Sequence, residues 1–219
     1  MIWIEGLRYA TSAGFELALP NLAIETGARV AVIGPSGSGK TTFLNLLAGL
    51  LSPQSGRIVV AGTDVAALSP KERLRFRARS VGFVFQDFDL VAYLSALENI
   101  LYPARIANDI TPDRAMIARA RALAERTGIA DRLWAKPARM SQGEQQRTAI
   151  CRALLRAPAL VLADEATGNL DPKNKQASLD LLFDEVERAG ATLIAVTHDH
   201  QLLDRFDRVI DFAALPAEL

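Results

Sequence analysis

Val30-Ala31-Val32-Ile33-Gly34-Pro35-Ser36-Gly37-Ser38-Gly39-Lys40-Thr41-Thr42 decides the fold of this 219-residue chain. The first four residues are an apolar run of the kind that forms a buried strand. Gly34 to Thr41 fits G-x-x-x-x-G-K-[ST], and beyond it Phe43, Leu47 and Leu50 share one helical face with Leu44 and Leu51. Strand, glycine-rich loop and helix in that order make a phosphate cradle. The glycines let successive amide hydrogens turn inward, and the helix adds the positive end of its dipole. Lys40 is placed to reach β- and γ-phosphates, and the Thr41 hydroxyl to join a magnesium shell. The predicted nucleotide-binding set is Gly34, Ser36, Gly37, Ser38, Gly39, Lys40, Thr41 and Thr42.

A second apolar run, Leu160-Val161-Leu162-Ala163, delivers Asp164 and Glu165. In an open parallel sheet, ligands bind at the C-terminal ends of strands. Asp164 is therefore expected to hold Mg2+, directly or through its water, and Glu165 to polarise an attacking water as general base.

Outward from these stretches the chain reads as α/β. Met1 to Tyr9 and Phe15 to Ala23 are strand-like, punctuated by Gly14, Pro20-Asn21 and Gly27, and Arg57 to Ala61 is a further strand. Ser69-Pro70-Lys71-Glu72 and Ser95-Ala96-Leu97-Glu98 are capping boxes, and Thr111-Pro112 opens a helix that Gly128 can close. Residues 87–138 read as mostly helix. Helices over Gln145–Ala157 and Lys173–Arg188 precede the runs Leu160–Ala163 and Leu193–Val196, which suggests a covered parallel sheet.

Composition narrows the function classes. Lysine plus arginine and aspartate plus glutamate are both 25, giving no net charge and no broad positive footprint for nucleic acid. No apolar stretch approaches the ~20 residues of a membrane span, and Met1-Ile2-Trp3-Ile4-Glu5 shows no signal-peptide lead-in. The single cysteine, Cys151, fits a reducing compartment and a small packing role near Ile150, Ala153, Leu154 and Ala157.

Taken together, the motifs resemble the ATP-binding subunit of an ABC transporter over essentially the whole chain. Met140-Ser141-Gln142-Gly143-Glu144-Gln145-Gln146-Arg147 is similar to the family signature, usually LSGGQ. Gln86 in Phe83-Val84-Phe85-Gln86 is similar to the Q-loop glutamine. Leu170-Asp171 is similar to the D-loop, His198 in Val196-Thr197-His198-Asp199 to the switch histidine, and Tyr9 to the adenine-stacking aromatic. Met140 stands in for leucine, Gln142 for glycine and Glu144 for glutamine, the last adding a negative charge beside a phosphate site.

The resemblance implies a P-loop NTPase core with a mixed, mostly parallel sheet, an N-terminal antiparallel β part and a helical subdomain. One ABC ATPase domain would span 1–219, with residues 1–86 and 139–219 as core and 87–138 as helical lobe. ATP and Mg2+ are the expected ligands. Glu165, His198 and Gln86 would be catalytic, and Thr41, Asp164 and Gln86 would face the metal. Ser141 and Gly143 would bind the γ-phosphate of ATP held by a second copy, and Asp171 would cross the same interface. Gln86 would report the site's state to an integral membrane permease. The expected location is peripheral, on the cytoplasmic face of the inner membrane, with no nucleic acid.

Gly82 to Gln86, Leu97-Glu98-Asn99-Ile100 and Glu165 to Asp171 look most like the LolD/MacB/FtsE branch, whose members power lipoprotein release, drug or peptide efflux, or mechanical remodelling. The rival readings are an importer ATPase, a soluble ABC-type ATPase of DNA repair or chromosome maintenance, and a regulatory pseudo-ATPase. No heptad array or cysteine cluster lies between Lys40 and Ser141, which argues against the DNA-repair class. Intact Lys40, Asp164, Glu165 and His198 argue against the pseudo-ATPase.

Overall fold

The computed structural model describes residues 1–106, 111–166 and 172–214. It begins with β1 (Ile2–Ala10), β2 (Glu16–Leu19), β3 (Leu22–Ile24), β4 (Arg29–Ile33), α1 (Lys40–Leu47), β5 (Ser55–Val60) and β6 (Thr63–Asp64). Next come α2 (Pro70–Ser80), β7 (Val81–Val84), α3 (Ala96–Ile106) and α4 (Arg114–Arg126). After these lie α5 (Gln142–Leu154), β8 (Leu160–Asp164), α6 (Pro172–Ala189), β9 (Thr192–Val196) and β10 (Arg208–Asp211).

The strands form two sheets. One is antiparallel, in the order β2-β1-β5-β6, with β3 also paired to β1. The other is parallel throughout, in the order β10-β4-β9-β8-β7. Its inner strands β4, β9 and β8 are apolar at nearly every position because both faces are covered. Leu160, Leu162, Ile194 and Val196 point into a core shared with α1 and the antiparallel sheet. Their alternates Val161, Ala163, Leu193 and Ala195 point into a second core shared with α3, α4, α5 and α6. The parallel sheet is thus a common wall between two hydrophobic cores. Loops at its C-terminal edge are held from both sides.

Local chemistry sets the boundaries. Both expected capping boxes form: Ser69 and Glu72 exchange bonds at the start of α2, and Ser95 and Glu98 do so before α3. The helix expected to open at Thr111-Pro112 starts later, because the Asp113 side chain accepts the Met116 N–H at 2.7 Å. Gly128 follows its last turn with φ 69°. The helix expected over Gln145–Ala157 starts at Gln142 instead. Ser141 and Glu144 form a third capping box there. It also ends at Leu154, since Ala157, before Pro158, takes a positive φ of 47°.

The strand-like run Phe15–Ala23 is divided at Pro20 into β2 and β3. Sequence reasoning passed over β7 and β10. Val81-Gly82-Phe83-Val84 is short and contains a glycine, yet a Cβ on Gly82 would lie 2.4 Å from the Ala153 carbonyl oxygen. That glycine is the condition for β7 to lie directly under α5.

Two side chains, one buried and one half-buried, fix the segment between β7 and α3. Asn99, fully buried, accepts the Val91 N–H at 2.7 Å and donates to the carbonyls of Val91, Leu94 and Ser95. From α5, the Arg152 guanidinium donates to the carbonyls of Phe88 and Asp89, both of which have positive φ. Cys151 is fully buried on the same helix, with Sγ 3.2 Å from Thr127 Oγ1, and burial pushes its thiol up to about 12. Among the described residues, no helix is long and apolar enough to cross a membrane.

Candidate active site

The glycine-rich loop leaves β4 and enters α1 at the C-terminal edge of the parallel sheet. Gly39, the residue before α1, has φ 99°, and a Cβ there would lie 3.0 Å from the Phe15 ring. Gly34 has φ 141°, and a Cβ there would lie 2.9 Å from Phe212 Cβ. Neither position has room for a side chain, so the backbone itself forms the wall of the loop.

The loop holds two polar groups in reserve. Lys40 is only 6% exposed, and its Nζ donates to the carbonyls of Gly34 and Pro35, both at 2.9 Å. Ser38 Oγ is buried without a hydrogen-bond partner among the described residues. An ammonium at the start of α1 that is held only by backbone carbonyls and borders the cleft fits an anion with several acceptor oxygens.

The strand ends bring up the acidic groups. Asp164 at the end of β8 pairs in register with Val196 at the end of β9. Thr41 Oγ1 donates to Asp164 Oδ2 at 2.9 Å, tying the first turn of α1 to β8. Burial pushes the Asp164 carboxyl above its ordinary value, the Thr41 hydrogen bond opposes that, and the neighbouring Glu165 charge adds to it. A half-buried carboxylate so disfavoured, with a hydroxyl beside it, suits a hard divalent cation that shares its remaining positions with phosphate and water.

Glu165 leaves the strand with φ 47°, and its N–H donates to the Val196 carbonyl at 3.1 Å. Its Oε1 stands 2.6 Å from His198 Nε2. A cleft of about 290 Å3 is lined by Ser36, Gly37, Gly39, Lys40, Thr41, Thr42, Glu165, His198 and Phe15. A neighbouring cleft of about 630 Å3 shares Glu165 and His198 and adds Gln86, Lys175 and His200. Most of the phosphate loop, Glu165, Gln86 and His198 therefore converge, with Asp164 tied to them through Thr41, whereas Gly34 and Ser38 line neither cleft.

Other expected residues stand apart. Tyr9 is half-buried on β1 opposite Leu17 and lines neither cleft; the aromatic wall of the smaller one is Phe15. Ser141 and Gly143 also line neither. They sit at the N-terminus of α5, which packs against α3, β7 and α6, whereas α1 packs against β8 and β9. Asp171 lies outside the described residues. The charge of Glu144 is already engaged: its carboxylate accepts the Ser141 N–H and the Arg132 Nε–H, both at 2.8 Å, and is held below its ordinary value chiefly by the first of these.

Sequence reasoning missed Phe15, Lys175, Arg132 and the tie from Gln146 to the carbonyl of Ala166. The capping-box spacing of Ser141 and Glu144 could have revealed that Glu144 was occupied. Phe15, Lys175, Arg132 and Gln146 carry no local signal.

Comparison with known proteins agrees with this geometry. The family model described as ABC transporter matches residues 17–168. The lipoprotein-releasing system ATP-binding protein LolD of Bacteroides fragilis is 41% identical over 210 residues, covering 96% of this chain and 96% of that protein. The macrolide export ATP-binding/permease protein MacB of Rhodopirellula baltica is 43% identical over 215 residues, covering 96% of this chain, which spans 31% of that longer protein. A dimeric ATP-binding cassette solved in a post-hydrolysis state with ADP and Pi superposes with a TM-score of 0.82 at 32% identity, covering 96% of this chain and 94% of that one.

Proposed function

The chain belongs to the ABC transporter family as an ATP-binding, ATP-hydrolysing subunit, and on that premise we propose that it drives a membrane permease of the lipoprotein-releasing or macrolide-export kind. The observation that carries the reading is the contact between Glu165 and His198 at 2.6 Å, across the mouth of a loop whose Thr41 is bonded to Asp164.

From that geometry the roles divide. The loop amides, Lys40 and the orphaned Ser38 hydroxyl bind the phosphate chain. Thr41 and Asp164 are the chain's own candidates to hold Mg2+, which when bound would neutralise charge on the β- and γ-phosphates. Glu165 Oε1 accepts a proton from the attacking water. His198 orients that carboxylate through Nε2 and stays beside the γ-phosphate position. Gln86 faces the same space from the neighbouring cleft. Tyr9 stacks on the base, beyond the phosphate cleft.

One protomer does not complete the site. Ser141 and Gly143 present a capped helix N-terminus away from their own loop, which suits a second copy related by a two-fold axis, each signature facing the other's γ-phosphate. Asp171 belongs to the same interface. We assign residues 87–138 to a helical lobe and the remainder to the nucleotide-binding core of one domain.

The permease is given a docking place by an apolar groove of about 320 Å3 between α2, β7, α3 and α5. Phe83 and Phe85, stacked 4.7 Å apart, form its floor directly before Gln86, and Leu74 and Ile106 are exposed along its sides. Arg77, Arg79, Arg152 and Arg156 line it as well, which fits an amphipathic segment with acidic residues or free carbonyls at its end. Docking there would hold the chain peripherally at the cytoplasmic side of the inner membrane.

The test is Glu165→Gln in the full chain. Nucleotide binding should be retained, and phosphate release should fall by roughly a hundredfold or more, as expected for loss of a general base. Phosphate release at the parent's rate would remove Glu165 from the role.

A further inference from the structure

Gln146 is 1% exposed, and its side chain touches the site from behind. Its amide lies 2.7 Å from the carbonyl oxygen of Ala166, the residue after Glu165. A carbonyl only accepts, so the amide nitrogen must be the atom that faces it. The amide oxygen is buried with no partner among the described residues. As a packing residue this is a poor choice, because a thioether or aliphatic side chain of similar size would fill the space without an unsatisfied acceptor. The single bond to Ala166 is what the amide provides.

That bond lands where the backbone is strained. Glu165 sits in the left-handed region at φ 47°, which a glutamate adopts only when its surroundings impose it. Before it, the Glu165 N–H is tied to the Val196 carbonyl; after it, the Ala166 carbonyl is tied to Gln146. The two bonds bracket the residue and aim its carboxylate at His198. Gln146 also rides on α5, the helix whose first turn contains Ser141 and Gly143.

We propose that Gln146 is a positioning residue for ATP hydrolysis. It fixes the backbone beside Glu165 from α5 and so holds the carboxylate toward His198. The proposal rests on Glu165 being the base.

The experiment measures steady-state ATP hydrolysis and thermal melting for the full chain and for Gln146→Met, with Glu165→Gln run in parallel. Gln146→Met should lower kcat by roughly tenfold, the loss of one hydrogen bond in the barrier, while the KM for ATP and the melting midpoint stay near the parent's. Gln146→Ala repeats the test if the methionine form does not fold. The parent's kcat retained, a fall in rate expressed as KM alone, or failure of both variants to fold would each overturn the proposal in favour of a structural bond. Parent-like turnover by Glu165→Gln would instead sink the underlying base assignment, whatever Gln146 does.

Discussion

Asp164 shows how one side chain can be destabilising in the empty protein and useful in the loaded one. Burial raises its carboxyl above the ordinary value, so the folded chain holds that proton more tightly than the unfolded chain does. The sign follows: the group is harmless below the unfolded value of about 3.8, and the fold loses stability as pH climbs through the raised value, a loss that persists at neutral pH. Asp164→Asn should therefore raise the melting temperature of the nucleotide-free, metal-free chain at pH 7 by about a few degrees. The gain should shrink as the pH is lowered. With Asp164 holding Mg2+ as proposed, the same variant should show less stabilisation by Mg2+ with nucleotide than the parent, and a pH series of thermal melts with and without Mg2+ checks both. Asp164 and Glu165 were legible in the sequence because an apolar run points them at a strand's C-terminal end. The left-handed backbone of Glu165 and the aromatic wall of Phe15 were not, since both arise from contacts between segments far apart in the chain.

Among the elements, those whose signals are local were the readable ones. Capping boxes at Ser69 and Ser95 announce their helices because donor and acceptor sit three residues apart. Strand β7 was illegible because its condition is the bare backbone of Gly82 against Ala153, a contact made across the fold. The segment joining β7 to α3 is a similar case, held by the buried amide of Asn99 rather than by any turn sequence. Asn99→Ala would strand the Val91 N–H and the carbonyls it serves, at a cost of about 3 kcal/mol. Urea unfolding should show this as a lower midpoint at an unchanged slope. Because the segment runs on from Gln86, ATP turnover should fall in the same variant while nucleotide affinity holds.

For the whole molecule, a parallel sheet with hydrophobic cores on both faces sets the phosphate loop and Glu165 on one rigid edge, and leaves the α5 N-terminus outside the clefts there. Ser141→Arg should keep nucleotide binding to the single protomer and abolish ATP-driven pairing, because the bulky cation breaks the capping box and replaces the hydroxyl proposed to meet the second copy's γ-phosphate. Sedimentation velocity in a Glu165→Gln background reads this directly: equal dimer fractions with and without the substitution would refute the two-fold arrangement. The pairing itself was foreseen only through resemblance, since neither composition nor periodicity records which surface faces a twin. The guanidinium of Arg152 belongs at this scale too. It lines the apolar groove and simultaneously grips the carbonyls of Phe88 and Asp89, just past Gln86. If a partner seats in that groove as proposed, it would press on the one guanidinium that also holds the two left-handed residues after Gln86, so groove and cleft would share a single mechanical joint.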